Sequence, residues 1–169
     1  NDGGLNLYNP NTKLFTHYML REGKDEKGIA SNNIKAVYVD EQKSAVYIGT
    51  HAGGFNILHR KTGKMEHFNQ TNSRLVNENV YAILPDEEGN IWLGTLSALV
   101  LFNPEKRDFT TIEKERNGNP FSVKQITTLF RDSRKRLWIG GEEGISVYNQ
   151  QHDKLQKELI LPDNSMLQA

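Results

Sequence analysis

The chain has 169 residues, room for one modest domain or part of a larger one, with 36% hydrophobic and 25% charged residues. Its 21 basic and 21 acidic side chains cancel, which removes any electrostatic reason to expect nucleic acid or an anionic membrane as a partner. Cysteine is absent, excluding disulfides and thiolate metal sites, and the longest apolar runs, such as Ala98-Leu99-Val100-Leu101-Phe102, fall far short of the ~20 residues that span a bilayer.

The opening Asn1-Asp2-Gly3-Gly4 lacks the basic start and apolar core of a signal peptide and reads as the interior of a longer protein. Leu5-Asn6-Leu7-Tyr8-Asn9 follows as a short strand. Ile34 to Asp40 is the next apolar segment, then Tyr47-Ile48-Gly49-Thr50, then Phe55-Asn56-Ile57-Leu58. The same succession returns as Val80 to Asp86, Trp92-Leu93-Gly94-Thr95 and Val100-Leu101-Phe102-Asn103. It returns again as Ile126 to Asp132, Trp138-Ile139-Gly140-Gly141 and Ile145-Ser146-Val147-Tyr148-Asn149. Asp40, Asp86 and Asp132 are spaced by 46 residues, and Gly49, Gly94 and Gly140 by 45 and 46. Leu5 to Asn9 matches the third segment of a unit whose first half is missing.

Each unit reads as four short strands. Apolar spacing is near two, β-branched and aromatic residues cluster, and turn residues recur every 8 to 12 positions or so. A turn such as Asp86-Glu87-Glu88-Gly89-Asn90 suits a hairpin. The segment Ile91-Trp92-Leu93-Gly94-Thr95 is apolar almost throughout, as a strand buried on both faces requires, whereas Asp108-Phe109-Thr110-Thr111-Ile112 is more polar and belongs at an outer edge. Four strands repeated at about 45 residues predict an all-β chain of β-propeller blades, roughly three and a half in number and too few to close a ring. The expected divisions are a partial blade and connector over 1–30, blades over 31–74 and 75–121, and a blade with the start of a connector over 122–169. Tyr47, Trp92 and Trp138 are expected to pack between neighbouring blades, and Gly49, Gly94 and Gly140 to permit close approach or a bend.

These segments resemble the two-component-regulator propeller repeat, whose pattern runs as an Asn or Ser before the first strand, Asp-x-x-Gly-x-hydrophobic-Trp-hydrophobic-Gly-Thr, then Gly-Gly-hydrophobic. Ser31-Asn32-Asn33-Ile34, Asp86 to Thr95 and Gly53-Gly54-Phe55-Asn56 carry the match. The departures are one extra residue between Asp40 and Tyr47, Ser97-Ala98 in place of Gly-Gly, and Gly141 in place of threonine. The resemblance implies the periplasmic sensor region of a hybrid two-component system of the Bacteroides type. There the propeller precedes a membrane anchor and a histidine kinase, and often responds to an oligosaccharide.

Ligands of such folds are expected on loops at one end of the blades. His51, Asn33, Asn79, Ser97, Lys124 and Glu142 are the candidate ligand-binding residues, a set of amides and charges suited to sugar hydroxyls. No catalytic residue, cofactor or metal is expected. His51, His59 and His67 are evenly spaced, but His59 and His67 should fall on opposite faces of a hairpin. Phosphate-loop and nucleophile-elbow motifs are lacking. The expected function is therefore non-catalytic ligand sensing. A scaffold that binds another protein, the remaining blades or a second copy of the chain is the alternative, and part of a propeller lyase or glycosidase a weaker one. Neither nucleic acid nor direct membrane insertion is expected.

Overall fold

A computed structural model describes residues 3–20, 28–112, 123–142, 144–149 and 154–156. Strands β1 (Leu5–Asn9) and β2 (Leu14–Tyr18) pair as a hairpin. The second blade comprises β3 (Ile34–Asp40), β4 (Ala45–Thr50), β5 (Phe55–His59) and β6 (Lys64–Phe68). The third comprises β7 (Val80–Pro85), β8 (Ile91–Thr95), β9 (Leu99–Asn103) and β10 (Asp108–Ile112). The fourth comprises β11 (Thr128–Arg131), β12 (Arg136–Gly141), β13 (Gly144–Asn149) and β14 (Lys154–Gln156). Each four-stranded sheet is an antiparallel meander in chain order, and β3, β7 and β11 lie side by side along the inner edge. The chain is thus an open propeller of three four-stranded blades and one two-stranded piece, as the repeat predicts. The connector residues 113–122 and the segment 157–169 lie outside the described residues.

The cores lie between blades. Ile29, Val46, Ile48, Leu58 and Met65 of the second blade and its lead-in pack against Leu5 and Tyr18 of the hairpin. Ala45, Tyr47, Phe55 and Ile57 pack against Ile91, Leu93, Val100 and Phe102 of the third blade. Trp92 and Leu99 pack against Ile126, Leu137, Ile139 and Tyr148 of the fourth. Successive side chains of a strand point to opposite faces, so Ala45 and Tyr47 serve one interface while Val46 and Ile48 serve the other. That is why β4 and β8 are buried at every position. Burying each such Leu, Ile or Phe is worth roughly 1.5–3 kcal/mol, so the stacking of blades holds the arc together. Burial also pushes the Tyr47 hydroxyl pKa up to about 12, with Asp40 adding to the shift, so this ring stays neutral in its core.

Two repeat glycines mark where one blade touches the next. A Cβ on Gly49 would stand 2.7 Å from the Val80 carbonyl oxygen, and one on Gly94 would stand 2.7 Å from that of Ile126 and 2.6 Å from its side chain. Val80 and Ile126 occupy the same repeat position in successive blades. At Gly140 the nearest atom to an added Cβ is Thr128 of its own blade, at 3.4 Å. Trp138 behaves in parallel. Trp92 is 1% exposed and meets Tyr148 edge-on at 5.4 Å, whereas Trp138 lies outside the inter-blade cores, half-buried, with the Arg136 guanidinium 5.1 Å from its ring centre. The expectation of inter-blade packing therefore holds for Tyr47 and Trp92. At Trp138 the ring is satisfied within its own sheet.

The repeated aspartates organise the hairpins at the opposite end of each inner strand. Asp40 Oδ1 accepts the Lys43 N–H, and Asp86 Oδ1 accepts those of Glu88 and Asn90. Asp132 accepts most: the N–H groups of Arg134 and Arg136 on Oδ1, and Arg136 Nε and Trp138 Nε1 on Oδ2, the last at 2.8 Å. In the third blade Asn90 supplies the amide that bonds Asp86 Oδ2, and the Trp92 indole nitrogen is left without a hydrogen-bond acceptor among the described residues. The extra residue of the second blade falls in the β3–β4 turn, where Ser44 takes φ 50°.

Two outcomes follow from these contacts. Gly94→Ala should lower stability by about 2 kcal/mol, because the new methyl meets backbone across a packed interface, while Gly140→Ala should cost less than half of that, both read by urea unfolding. The Trp138 indole bond, followed by the Arg136 and Arg134 bonds, holds the Asp132 carboxyl well below the usual carboxylate range. A depressed carboxyl stabilises the fold fully above its unfolded value of about 3.9 and loses that contribution as pH falls through the lower folded value. Trp138 fluorescence, isolated in a Trp92→Phe background, should therefore hold steady from neutrality to about pH 4 and change only in stronger acid. Asp132→Asn should remove that acid transition.

Candidate functional site

The β4–β5, β8–β9 and β12–β13 turns share one end of the arc with the segments leading into β3, β7 and β11. One hydrogen bond per blade joins each turn to its lead-in: His51 N–H to Asn33 O (2.9 Å), Leu96 N–H to Asn79 O (3.1 Å) and Glu142 N–H to Lys124 O (3.2 Å). The Ser or Asn two residues earlier caps the lead-in. Ser31 Oγ accepts the Asn33 N–H and Asn77 Oδ1 that of Asn79, while the fourth blade has buried Val123 at this place. Adjacent blades are also laced together here, by Gly54 N–H to Glu78 O (2.9 Å) and Gln125 N–H to Leu96 O (2.8 Å).

The departures from the repeat pattern have local causes. The turn after β4 closes with Thr50 N–H bonded to Gly54 O, and needs positive φ at Ala52 (57°) and Gly54 (67°). The turn after β8 is one residue tighter, with Thr95 N–H bonded to Ala98 O and no positive φ, so Ser97-Ala98 fits without glycine. A Cβ on Gly141 would stand 2.5 Å from Lys124 O, which excludes a threonine side chain in the fourth blade as it is folded.

The inner strands carry a bulge at this same end. Register shifts between Ile34 and Ala36 in β3 and between Val80 and Ala82 in β7, which leaves Lys35 and Tyr81 out of the ladder. Thr127 is their counterpart before β11. Lys35, Tyr81 and Thr127, together with His51 and Gln125, line an open hollow of about 490 Å³ that spans all three blades. The His51 imidazole stacks on the Tyr81 ring, centroids 6.4 Å apart and planes at 23°. A flat ring pair beside an ammonium, an amide and a hydroxyl is chemistry suited to a polar ligand with one apolar face.

Of the residues expected at this end, His51 lines the hollow. Ser97, Lys124 and Glu142 are exposed on the flanking loops. Asn33 and Asn79 are half-buried and bound into the frame: Asn79 Oδ1 accepts the N–H of Ala52, the positive-φ residue beside His51. Lys35, Tyr81 and Thr127 escaped the sequence reading, although a signal existed. They recur at intervals of 46 and interrupt the apolar start of each inner strand.

His59 and His67 are separate from this hollow. His67 hydrogen-bonds to Asn56 Oδ1 (2.7 Å), His59 pairs with Glu66, and the β5–β6 register puts the two rings on opposite faces. Burial lowers the pKa of both, with Arg107 and Lys64 adding to the shift at His59.

The two-component regulator propeller model matches residues 74–97 and 120–143. The extracellular domain assigned to a hybrid two-component system, BT3049 of B. thetaiotaomicron, superposes with a TM-score of 0.74 at 21% identity, covering 91% of this chain and 20% of that one. That of BT4673 from the same organism gives 0.72 at 22% identity, covering 92% and 21%. Among curated proteins, Histidine kinase P4 of Formosa agariphila is 25% identical over 154 residues, 86% of this chain and 11% of that protein. The chain spans about a tenth of that relative's length and about a fifth of the solved chains. It is a segment of β-propeller. The two matched stretches, in the third and fourth blades, run from each lead-in to the turn after the second strand and include Tyr81, Gln125 and Thr127 of the hollow.

Asn79→Ala should cost about 1 kcal/mol through the lost bond to Ala52 and loosen the His51–Tyr81 stack. Urea unfolding measures the first, and exchange broadening of the His51 ring resonances the second.

Proposed function

We propose that this chain is a non-catalytic, ligand-sensing segment of the extracytoplasmic part of a hybrid two-component sensor, with an oligosaccharide as its signal. The observation that carries this reading is the hollow itself: side chains from three successive blades converge on it, and a stacked His51–Tyr81 pair forms one wall. Sugars offer an apolar ring face to aromatic rings and hydroxyls to groups such as Lys35, Gln125 and Thr127. A ligand seated there touches the second, third and fourth blades at once. It therefore favours one relative arrangement of blades over others, which is the differential affinity that signalling requires. Relatives described as histidine kinase and as hybrid two-component extracellular domains support the same reading and an extracytoplasmic site.

A second reading, self-association, is favoured by the face of the β1–β2 hairpin turned away from the second blade, where Tyr8 and Phe15 pack on each other and are 48% and 59% exposed. Light scattering across a concentration series distinguishes it: a defined oligomer supports association, a monomer removes it.

The sensing reading is tested by screening neutral and acidic oligosaccharides for thermal stabilisation of the chain. A binding sugar should lose about tenfold in affinity in Tyr81→Ala, the loss of one stacking contact of roughly 1–1.5 kcal/mol. Binding that Tyr81→Ala and Lys35→Ala leave unchanged would place the ligand elsewhere.

A further inference from the structure

The other end of the arc, away from the hollow, holds a second open cavity of about 620 Å³ lined by Lys43, Ser44, His59, Lys61, Thr62, Lys64, Glu66 and Arg107. Three hairpin turns build it: β3–β4 supplies Lys43 and Ser44, β5–β6 supplies Lys61 and Thr62, and β9–β10 of the next blade supplies Arg107. Four permanently cationic side chains face one carboxylate, in a chain whose total charge is zero.

That carboxylate is already committed. Glu66 is mostly buried, 17% exposed at its side chain, and is held by His59 on one oxygen and by Arg107 on the other. Lys43 donates to the Gly89 carbonyl at 3.0 Å, which fixes its ammonium at the rim but leaves its charge uncompensated by that bond. Among the described residues Glu41 pairs with Arg60, Asp108 with Arg74 and Glu87 with Lys135, Asp40 accepts the Lys43 backbone N–H, and Glu88 and Glu105 are exposed on the adjoining turns. His59 reports the local potential, since Arg107 and Lys64 add to burial in disfavouring its imidazolium. Ser44 and Thr62 add hydroxyl side chains to the lining, with Thr62 Oγ1 donating to the His59 carbonyl and accepting the Lys64 N–H.

We propose that this cavity is a second binding site, for a tetrahedral oxyanion, phosphate or sulfate, carried free or as an ester on a larger molecule. Ammonium and guanidinium donors around one cavity match the several acceptor oxygens of such a group. The cavity is larger than the oxyanion needs and leaves space for its carrier. Because Arg107 comes from the third blade and the other lining groups from the second, an anion held here bridges two blades, as the hollow's occupant does at the opposite end. Glu66 sets the affinity by competing for Arg107.

The test is titration of the chain with inorganic sulfate and with inorganic phosphate, at ionic strength held constant with chloride, followed by NMR shifts of the lining residues. Saturable shifts at Thr62, Lys61 and Arg107 are expected. The double variant Lys43→Ala/Lys61→Ala changes two exposed side chains, and should weaken binding about tenfold while Lys13→Ala on the first hairpin leaves it unchanged. Glu66→Gln should tighten binding, a gain that a merely structural role for Glu66 would not produce. Glucose 6-sulfate and glucose 6-phosphate then separate the sources: tighter binding than the inorganic ions assigns an ester, equal or weaker binding a free ion. Shifts that stay linear in concentration, or equal affinity in the double variant, overturn the site.

Discussion

Everything in this arc depends on one contact, the face of one blade pressed on the inner strand of the next. A four-stranded sheet of this size has two apolar faces and cannot bury either by itself. Stacking resolves both at once, since alternate residues of β4 and β8 enter different cores. The approach is closest at Gly49 and Gly94, where the next blade's backbone sits at the place of the missing side chain. Aromatic rings then fill the space beyond: Tyr47 shares a core with Phe102, and Trp92 meets Tyr148. At the repeat-equivalent Gly140 the nearest atom to an added Cβ is in Thr128, and the Trp138 indole donates to Asp132 with the Arg136 guanidinium over its ring.

The same contact creates both cavities. Bringing inner strands side by side sets their bulged residues around one hollow, and bringing hairpin turns side by side gathers lysines and an arginine around the other cavity. Both sites cross blade boundaries. Neither exists on an isolated blade, and an occupant of either acts on the relation between blades rather than on one sheet.

Polar residues near the ligand end divide by what they bond. Ser31, Asn77 and Asn79 spend side-chain groups on backbone N–H donors, and Asn56, fully buried, spends its own on Ala30, Gly53 and His67. A buried amide left unpaired would cost roughly 1–3 kcal/mol, so such residues are fixed by the frame. Lys35, Tyr81, Thr127 and His51 instead present their polar groups to the hollow. Residue type alone does not separate the two groups, because asparagine and serine serve equally well as caps and as sugar contacts.

By itself the sequence determined the class of fold, the four-strand unit and the period at which it repeats. It could do so because burial on two faces imposes a period of two within strands, and repetition imposes a period of about 45 between them. Tertiary structure alone decided which polar residues are spent as caps, that a bulge turns Lys35 and Tyr81 out of the ladder, and that Trp138 is satisfied within its own sheet. Those outcomes depend on backbone register and on which blade lies across the interface, and neither is written in the local pattern of residues. The shared hollow and the basic cavity belong to the same category, since each is assembled from chain segments tens of residues apart that meet only when blades stack.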